Sequence, residues 1–321
     1  MNTKRIIVMG GSFNPPTSAH YKLLLAAVDA LDAGTGFFVP VSDAYLRRKM
    51  KFSHPPVVLS EEMRAKMLEA MCSSDSRLSV CTKEFGTIQA RTTDTMLALQ
   101  EDYPEAELYF VLGDDKLPLI SHLAVSRAFL DRFRVVLYSR NEGDIEAYLD
   151  GNATLSRYKD RIVILPPPEG TEGISSSKVR ERLLAGESSQ ELLHPGVWEL
   201  FKGFTPTDFP DVINLFKREY AFLANTFKCL ITWQKRQFKC ARDAYAFSKP
   251  ADREDLALMQ GIVEAKFEQN PELMQRLKET KGRILINGNS KKETFWGVDL
   301  YSWTGENHLG EILMTIRNKE A

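Results

Sequence analysis

Short apolar runs alternate with helix-like segments through the first two-thirds of the chain. The first run, Arg5-Ile-Ile-Val-Met9, stops at two glycines, and further strand-like runs follow at 36–41, 77–82, 107–112, 134–138 and 161–165. Segments with helical spacing of apolar residues lie at about 20–31, 60–72, 92–102, 122–131, 177–186 and 195–202. Continuous apolar strands that alternate with helices are typical of a parallel sheet covered on both faces. We therefore predict an α/β fold with a doubly wound parallel sheet.

A second, smaller domain is expected after this region. The chain has 321 residues, whereas soluble domains usually have about 100 to 200. The segment Gly203-Phe-Thr-Pro-Thr-Asp-Phe-Pro210 contains two prolines and a glycine, as linkers often do. We predict a first domain at 1–202, a linker at 203–208 and an α+β domain at 209–321 that contains one long helix from about 252 to 280.

Charge and cysteine content narrow the classes of partner. The chain has 42 Lys and Arg against 43 Asp and Glu, so there is no overall basic field for nucleic acid or anionic membrane. Its four cysteines form no CxxC pair, which favours reduced thiols over disulfides or zinc. The longest apolar runs are too short to span a bilayer. We expect a soluble, cytoplasmic protein that binds no nucleic acid and no membrane.

A glycine-rich loop follows the first predicted strand and reads Gly10-Gly-Ser-Phe-Asn-Pro-Pro-Thr-Ser-Ala-His20. Ligands of parallel sheets bind at the carboxyl ends of strands, where glycines let backbone N–H groups approach a phosphate. Thr17 and His20 lie three residues apart at a helix start, so a hydroxyl and an imidazole can face one anion. The same residues also fit a tight turn followed by an exposed histidine.

Further polar segments occur later in the chain. Ile174-Ser-Ser-Ser-Lys-Val-Arg180 opens a helix with three hydroxyls and two cations in its first turns, which suits a triphosphate. Gly113-Asp-Asp115 directly follows a predicted strand, where a carboxylate can hold a ribose hydroxyl. Arg47 and Arg48 can clamp a phosphate. Each segment also fits an ordinary role: a serine-capped helix with solvated basic residues, an acidic turn and a basic loop.

Four segments in this order resemble the nicotinamide/nicotinate mononucleotide adenylyltransferases of the nucleotidyltransferase superfamily. The first loop resembles the superfamily's (H/T)xxH signature, and the segments 40–48, 112–115 and 174–180 resemble the family's PVxDAYKK, LGAD and ISSTKIR stretches. The resemblance implies a Rossmann-like fold, and an in-line attack of the mononucleotide phosphate on ATP that releases pyrophosphate, with Mg²⁺ accompanying ATP. Pantetheine-phosphate adenylyltransferases, which share only the first and last segments, rank second. A non-catalytic nucleotide-binding regulator is the alternative from another class.

The resemblance also implies roles for individual residues. The expected catalytic residues are His20, Thr17, Lys178 and Arg180. The expected ATP-binding residues are Gly11, Ser12, Phe13, Gly113, Asp115, Ser175, Ser176 and Ser177. The expected mononucleotide-binding residues are Asn14, Tyr45, Arg47 and Thr95, and no side chain is expected to ligate a metal directly.

The expected pyridine pocket departs from the family. Family members commonly stack the ring on tryptophan, yet the first tryptophan here is Trp198. Either the base stacks on Tyr45, Phe85 or Phe129 instead, or the substrate preference differs from that of the family. The Asp43-Ala-Tyr stretch favours nicotinamide over nicotinate mononucleotide.

The C-terminal third carries a second polar pattern. Tryptophan, asparagine and glycines within 295–317 suit stacking and hydrogen bonding to a sugar or base, and equally a core capped by tryptophan with glycine turns. The segments 219–225, 262–267, 295–297 and 305–317 resemble the NADAR domain, associated with ADP-ribose-type ligands and N-glycosidic hydrolysis. The expected ligand residues are Asn225, Asp243, Lys266, Trp296, Gly297 and Asn307.

One departure decides between the two activities that this resemblance implies. The family's Glu-His-x-x-Gln-Ala-x-Lys pattern is replaced by Arg242-Asp-Ala-Tyr-Ala-Phe-Ser-Lys249. A glycosidic hydrolase needs a carboxylate, and Asp243 replaces it only if the register slips by one residue. We therefore expect this domain to bind an ADP-ribose-type ligand rather than hydrolyse it, and we expect a homo-oligomer.

Overall fold

The computed structural model describes residues 4–50, 56–87, 91–113, 116, 129–139, 142–153, 155–249 and 253–319. The chain divides into two compact units, one of residues 1–46 and 58–208, the other of residues 47–57 and 209–321. Most of the helix predicted at 122–131 lies outside the described residues.

The first unit is built on a parallel sheet. Its strands are β1 (Arg5–Gly11), β2 (Thr35–Pro40), β3 (Leu78–Val80), β4 (Glu107–Gly113), β5 (Arg134–Tyr138) and β6 (Ile162–Leu165). The described strands run in the order β3-β2-β1-β4-β5-β6, and every neighbouring pair is parallel. This order reverses direction between β1 and β4, where doubly wound folds bind ligands. The predicted α/β fold is confirmed.

Helices connect these strands. They are α1 (Ser18–Ala30), α2 (Asp43–Lys49), α3 (Glu61–Cys72), α4 (Thr92–Asp102), α5 (Glu142–Gly151), α6 (Ser176–Ala185) and α7 (Pro195–Phe201). Short 3-10 turns lie at Leu155–Arg161, Gln190–Leu192 and Pro206–Asp208.

The central strands are buried on both faces. Ile6 and Val8 point to one face, where they belong to the core cluster that contains Met96 and Leu99 of α4. Ile7 points to the opposite face and is also fully buried. Because no side chain of this stretch meets water, an uninterrupted apolar run is the sequence that β1 requires. Packing on both faces therefore fixes the position of β1, and with it the start of the loop that follows.

The second unit contains short strands and helices. Its strands are β7 (Val212–Ile213), β8 (Ile231–Trp233), β9 (Arg236–Phe238), β10 (Ile284–Leu285), β11 (Gly288–Asn289) and β12 (Val298–Asp299). Its helices are α8 (Ala241–Ser248), α9 (Leu256–Glu268), α10 (Pro271–Lys278) and α11 (His308–Lys319), and a 3-10 turn lies at Arg218–Leu223. Strands β8 and β9 form a hairpin, whereas β7 pairs with β10 and β11 with β12 in parallel.

The long helix predicted at 252–280 is two helices. Asp255 caps α9 by accepting the backbone N–H of Leu258 at 2.9 Å, and α10 begins at Pro271. Proline has no backbone N–H and its ring disfavours helical geometry in the residue before it, so it ends one helix and suits the first position of the next. The prediction of one continuous helix was wrong for this reason.

Within the described ranges, no helix is both long enough and apolar enough to cross a bilayer.

Candidate functional site

The loop after β1 is shaped by a glycine and a buried phenylalanine. Phe13 is 1% exposed and has a backbone φ of +43°. A Cβ atom at Gly11 would lie 3.0 Å from the Phe13 ring, so glycine leaves the space that this ring needs. The Phe13 ring meets the imidazole of His20 edge-on, with centroids 5.1 Å apart, and the ring of Phe38 at 5.5 Å. The loop thus holds one side of the His20 ring against an apolar surface.

Thr17 and His20 are in direct contact at the start of α1. The Nδ1 atom of His20 accepts the backbone N–H of Thr17 at 3.0 Å, and the Thr17 hydroxyl lies 2.7 Å from the same atom. A backbone N–H is always a donor, so Nδ1 carries no proton, and in the neutral ring the proton is on Nε2. The Thr17 hydroxyl therefore donates to Nδ1 as well. The contact leaves His20 with one N–H donor, at Nε2.

The imidazole of His20 is uncharged near neutral pH. Burial lowers its pKa to about 4, because removing the imidazolium from water is unfavourable. Nε2 is therefore a neutral hydrogen-bond donor. Positive charge for an anionic ligand has to come from other side chains.

The start of α6 is bonded to the same loop. Ser176 Oγ donates to the carbonyl oxygen of Pro15 at 2.8 Å, and Arg180 Nη1 donates to the carbonyl oxygen of Asn14 at 2.8 Å. These bonds join residues 161 and 166 positions apart in the chain. The loop after β1 and the start of α6, which are far apart in the sequence, therefore lie together in the structure.

The remaining polar groups of this helix start face outward. Ser175 caps α6 by accepting the backbone N–H of Lys178 at 3.2 Å. Arg180 Nη2 donates to the Ser177 hydroxyl at 3.0 Å. Ser175, Ser177 and Lys178 are exposed, whereas Arg180 is half-buried. A helix N-terminus with hydroxyls and cations is suited to bind an anion.

Ser12 and Gly113, two further residues expected to bind ATP, lie at the carboxyl ends of β1 and β4. The carbonyl oxygen of Ser12 accepts a hydrogen bond from Arg64 at 3.1 Å. Gly113 is the last residue of β4 and pairs with Tyr138 of β5. Asp115 lies outside the described residues.

Two of the expected mononucleotide-binding residues use their side chains inside the protein. Asn14 is fully buried, and its Oδ1 accepts the backbone N–H of Leu59 at 2.9 Å. Thr95 is buried and donates to Glu84 Oε1 at 2.9 Å. Burial raises the pKa of that carboxyl above its usual range. Both side chains therefore make internal hydrogen bonds of the first unit.

Tyr45 and Arg47 both lie in α2 but belong to different units. Tyr45 is half-buried in the first unit, and its backbone N–H donates to Ser42 Oγ at 3.2 Å. Arg47 belongs to the second unit, where its guanidinium lies 5.8 Å from the centroid of the Trp303 ring.

The aromatic residues expected to stack on the pyridine ring differ in their surroundings. The Phe129 ring is partly buried and packs against the core, with the centroid of the buried Phe133 ring at 5.1 Å and that of Phe110 at 6.2 Å. Phe85 lies 6.0 Å from the guanidinium of Arg64. Tyr45, Phe85 and Phe129 are each partly exposed, so all three remain candidates for stacking.

The sequence reading missed Arg64, a fully buried arginine of α3. Its guanidinium donates to three acceptors, which are the carbonyl oxygens of Ser12 and Leu59, each at 3.1 Å, and Asp43 Oδ1 at 2.9 Å. The available signal was its position, because Arg64 shares the buried face of α3 with Met67, Leu68 and Met71.

Trp296 has a polar partner that the sequence did not indicate. Its indole Nε1 donates to Glu254 Oε2 at 3.3 Å, and the hydroxyl of Tyr245 donates to the same oxygen at 2.8 Å. The Tyr245 and Trp296 rings meet edge-on at 5.4 Å, and Lys249 Nζ donates to Glu254 Oε1 at 3.1 Å. Trp296 is half-buried, so part of its ring is accessible.

Asn307 and Gly297 serve packing. Asn307 Oδ1 accepts the backbone N–H of Asn287 at 2.9 Å, and its Nδ2 donates to the carbonyl oxygen of Leu285 at 2.9 Å. A Cβ atom at Gly297 would overlap the carbonyl oxygen of Asn287. Both residues hold the segment before α11 against β10 and the strand that follows it.

The remaining expected ligand residues of the second unit have different surroundings. Lys266 is fully buried, and its ammonium donates to the carbonyl oxygens of Phe222 and Ala224 at 2.6 and 3.0 Å. Asp243 lies 3.3 Å from the guanidinium of its neighbour Arg242. Asn225 Nδ2 lies 3.3 Å from the sulfur of Met259, and within the described residues its buried Oδ1 has no hydrogen-bond partner.

The described ranges contain no group of three or more His, Cys, Asp or Glu side chains placed to hold a metal ion.

The chain matches two family models. The cytidylyltransferase-like model matches residues 8–182, and the NADAR domain model matches residues 234–319. The chain therefore belongs to the cytidylyltransferase-like family and is a nucleotidyltransferase, as the sequence resemblance predicted. Its C-terminal part contains a NADAR domain.

Curated relatives are similar to this chain over its N-terminal part. A probable nicotinate-nucleotide adenylyltransferase of Carboxydothermus hydrogenoformans is 30% identical over 181 residues, which are 56% of this chain and 86% of that protein. Another of Lachnoclostridium phytofermentans is 27% identical over 196 residues, 60% of this chain and 94% of that protein.

A solved structure supports the fold. The nicotinic acid mononucleotide adenylyltransferase of Plasmodium falciparum complexed with APC superposes with a TM-score of 0.50 at 18% identity, and covers 64% of this chain and 98% of that chain. At this identity the likeness concerns the fold alone.

Proposed function

We propose that the first unit transfers the adenylyl group of ATP to nicotinate mononucleotide, giving the deamido dinucleotide and pyrophosphate. ATP enters as its Mg²⁺ complex, so the metal is part of the substrate. The similar proteins named as nicotinate-nucleotide adenylyltransferases support this acceptor. The sequence alone favoured nicotinamide mononucleotide, and the relatives are the reason for choosing the acid.

One observation carries the proposal. The loop containing Thr17 and His20 is hydrogen-bonded to the start of α6 through Ser176 and Arg180. These bonds hold a neutral imidazole donor and a cationic helix N-terminus in one part of the first unit. Adenylyl transfer needs this combination, because the α-phosphate requires a positioned donor and the leaving pyrophosphate requires positive charge.

The chemistry follows from these groups. The mononucleotide phosphate attacks the α-phosphorus of ATP in line, and the bond from that phosphorus to the bridging oxygen breaks as pyrophosphate leaves. His20 donates from Nε2 to a non-bridging oxygen of the transferring phosphoryl group. Lys178 and Arg180 offset the charge that develops on the β- and γ-phosphates. No covalent intermediate with the enzyme is required, so rate depends on positioning.

The experiment is pyrophosphate release from MgATP with three acceptors in parallel: nicotinate mononucleotide, nicotinamide mononucleotide and phosphopantetheine. We expect the highest kcat/KM with nicotinate mononucleotide. A preference for phosphopantetheine would instead indicate a pantetheine-phosphate adenylyltransferase. Binding of ATP without turnover of any acceptor would identify a nucleotide-binding regulator.

The variant His20→Ala tests the role of the imidazole. We expect kcat to fall by about 10²-fold or more, as for the loss of one preorganised donor, with little change in KM. His308→Ala is the matched control, because His308 lies in the second unit and is expected to leave turnover unchanged. Wild-type kcat in His20→Ala would refute the assignment.

For the second unit, we propose that the NADAR domain binds an ADP-ribose-type ligand without hydrolysing it. The half-buried Trp296 ring, held at its indole nitrogen by Glu254, is suited to stack on a planar base. Asp243, which could replace the family's carboxylate only with a register slip of one residue, is paired with the adjacent Arg242. The arginine that stands in place of the family's glutamate has no proton-accepting group, which favours binding over hydrolysis.

Fluorescence titration with ADP-ribose tests this proposal. Binding is expected to quench tryptophan emission, and Trp296→Ala is expected to abolish the quenching that Trp303→Phe retains. Incubation with an N-ribosyl nucleotide is expected to release no free base. Base release that Asp243→Asn abolishes would instead establish hydrolysis.

A further inference from the structure

Arg64 occupies a position where an apolar side chain would otherwise be expected. It is fully buried on the face of α3 that also carries Met67, Leu68 and Met71. A buried guanidinium is unfavourable unless its donors are satisfied, and an apolar residue of similar volume often stabilises a core equally well. Fold stability alone therefore does not require an arginine there.

Two of the three acceptors of Arg64 lie on segments other than its own helix. One is the carbonyl oxygen of Ser12, in the loop after β1 that holds Thr17 and His20. Another is the carboxylate of Asp43, the first residue of α2 and the neighbour in sequence of the segment that contains Tyr45. The third, the carbonyl oxygen of Leu59, fixes the guanidinium to the start of α3 itself.

Two further bonds repeat this pattern. The Asn14 side chain accepts the backbone N–H of Leu59 at 2.9 Å, which attaches the loop to the start of α3 a second time. The Glu61 carboxylate accepts the backbone N–H of Asp43 at 2.6 Å, which attaches α2 a second time. Each segment is thus held at two points by the residues 59–64. A displacement of either segment must be accommodated by the other or break these bonds.

We propose that Arg64 is a positioning residue that couples the binding of the two substrates. The loop after β1 receives ATP, and the start of α2 borders the mononucleotide. When ATP fixes the loop, Arg64 transmits that order to Asp43, so the mononucleotide binds to a segment that is already ordered. This inference rests on the proposed adenylyl transfer. Coupling is reciprocal, so the mononucleotide strengthens ATP binding by the same factor.

Calorimetric titration measures the coupling factor. The α,β-methylene analogue of ATP, with Mg²⁺, is titrated into the full-length protein with and without saturating nicotinate mononucleotide. We expect a ratio of dissociation constants of about 5 or more in the wild type, the lower end of usual coupling strengths. In Arg64→Lys we expect this ratio to fall close to 1, while the affinity for the analogue alone changes less than about twofold, since the ATP contacts themselves remain.

Two variants separate this role from a structural one. Arg77→Gln removes an exposed arginine that pairs with Asp75 and Asp29 on the same unit, and it is expected to leave the coupling ratio unchanged. Asp43→Asn keeps the acceptor oxygen but loses the charge, and it is expected to reduce the ratio even if Arg64→Lys folds poorly. An unchanged ratio in Asp43→Asn and in folded Arg64→Lys would overturn the proposal.

Failure of the inference differs from failure of the proposed function. Wild-type protein that binds both ligands with a ratio of 1 overturns the coupling and leaves adenylyl transfer intact. Wild-type protein that binds neither the ATP analogue nor the mononucleotide overturns both.

Discussion

His20 shows how a single contact fixes the chemistry of a side chain. An isolated imidazole exchanges its proton between two nitrogens and ionises near neutral pH. Here the backbone N–H of Thr17 reserves Nδ1 as an acceptor, and burial disfavours the cation. A residue that usually ionises near neutral pH is thereby kept as a neutral donor at that pH.

The pH dependence of His20 follows from this environment. Its pKa of about 4 lies below the usual value of 6.5, so the unfolded chain binds a proton between these values that the folded chain does not. Stability should therefore fall as pH decreases from 6.5 towards 4. An NMR titration of the His20 ring, assigned by its loss in His20→Gln, should show a midpoint near 4. A midpoint near 6.5 would show that burial does not lower the pKa of His20.

Lys266 is expected to make the second unit more stable at alkaline pH. Burial lowers its pKa from 10.5 to about 8, so between these values the unfolded chain binds more protons and stability rises with pH. The unfolding free energy of the wild type minus that of Lys266→Met should increase by on the order of 2 kcal/mol from pH 7 to 10. Urea denaturation at several pH values measures this difference. Parallel curves for the two proteins would indicate an ordinary pKa.

Among the helices and strands, those with a buried face were predicted best. The run 134–138 and the helix 92–102 have the predicted bounds, because continuous apolar strands and amphipathic helices are recorded in local sequence. The two-residue strands of the second unit were not predictable, since tertiary contacts alone define such short pairings. Helix α2 was missed because its seven residues were read only as a binding segment.

The candidate site was predictable in part for a similar reason. The spacing of Thr17 and His20 places both on one helix turn, so their contact follows from local geometry. The role of Arg64 was not predictable, since two of its acceptors are backbone carbonyls that the sequence does not reveal. The same holds for Asn307, whose partners are also backbone groups.

The cap of α6 is expected to affect both stability and ATP binding. Ser175→Ala removes the acceptor for the Lys178 N–H and should lower the unfolding free energy by about 1 kcal/mol. It should also raise KM for ATP, because the helix start frays where the triphosphate is proposed to bind. Asp255→Ala removes the corresponding cap of α9 and should destabilise without changing this KM. Equal effects of both variants on KM for ATP would show that the start of α6 does not bind ATP.

At the scale of the whole molecule, the chain has two units with separate cores. One core cluster contains Leu313 and Ile262 of the second unit, and another contains Val8 and Leu108 of the first. The second unit also holds three of the four tryptophans, at 233, 296 and 303. Tryptophan emission therefore reports mainly on the second unit.

We expect thermal unfolding in two steps. The step seen by tryptophan fluorescence should belong mainly to the second unit, and circular dichroism should detect both. A nonreactive ATP analogue with nicotinate mononucleotide should raise the midpoint temperature of the first unit's step. A ligand at 100 times its dissociation constant adds about 2.7 kcal/mol to the unfolding free energy. ADP-ribose should shift the fluorescence step instead. One transition that moves as a whole with either ligand would contradict independent units.

The glycines before and within α11 bear on how such sequences evolve. A Cβ atom at Gly297, Gly305 or Gly310 would overlap a backbone carbonyl oxygen, and Gly305 has a φ of +149°. Selection for folding alone is thus sufficient to retain them, even in a lineage that has abandoned the ancestral reaction. Their presence in a sequence is therefore evidence of an intact domain, and evidence of its activity has to come from the side chains that packing leaves free to vary.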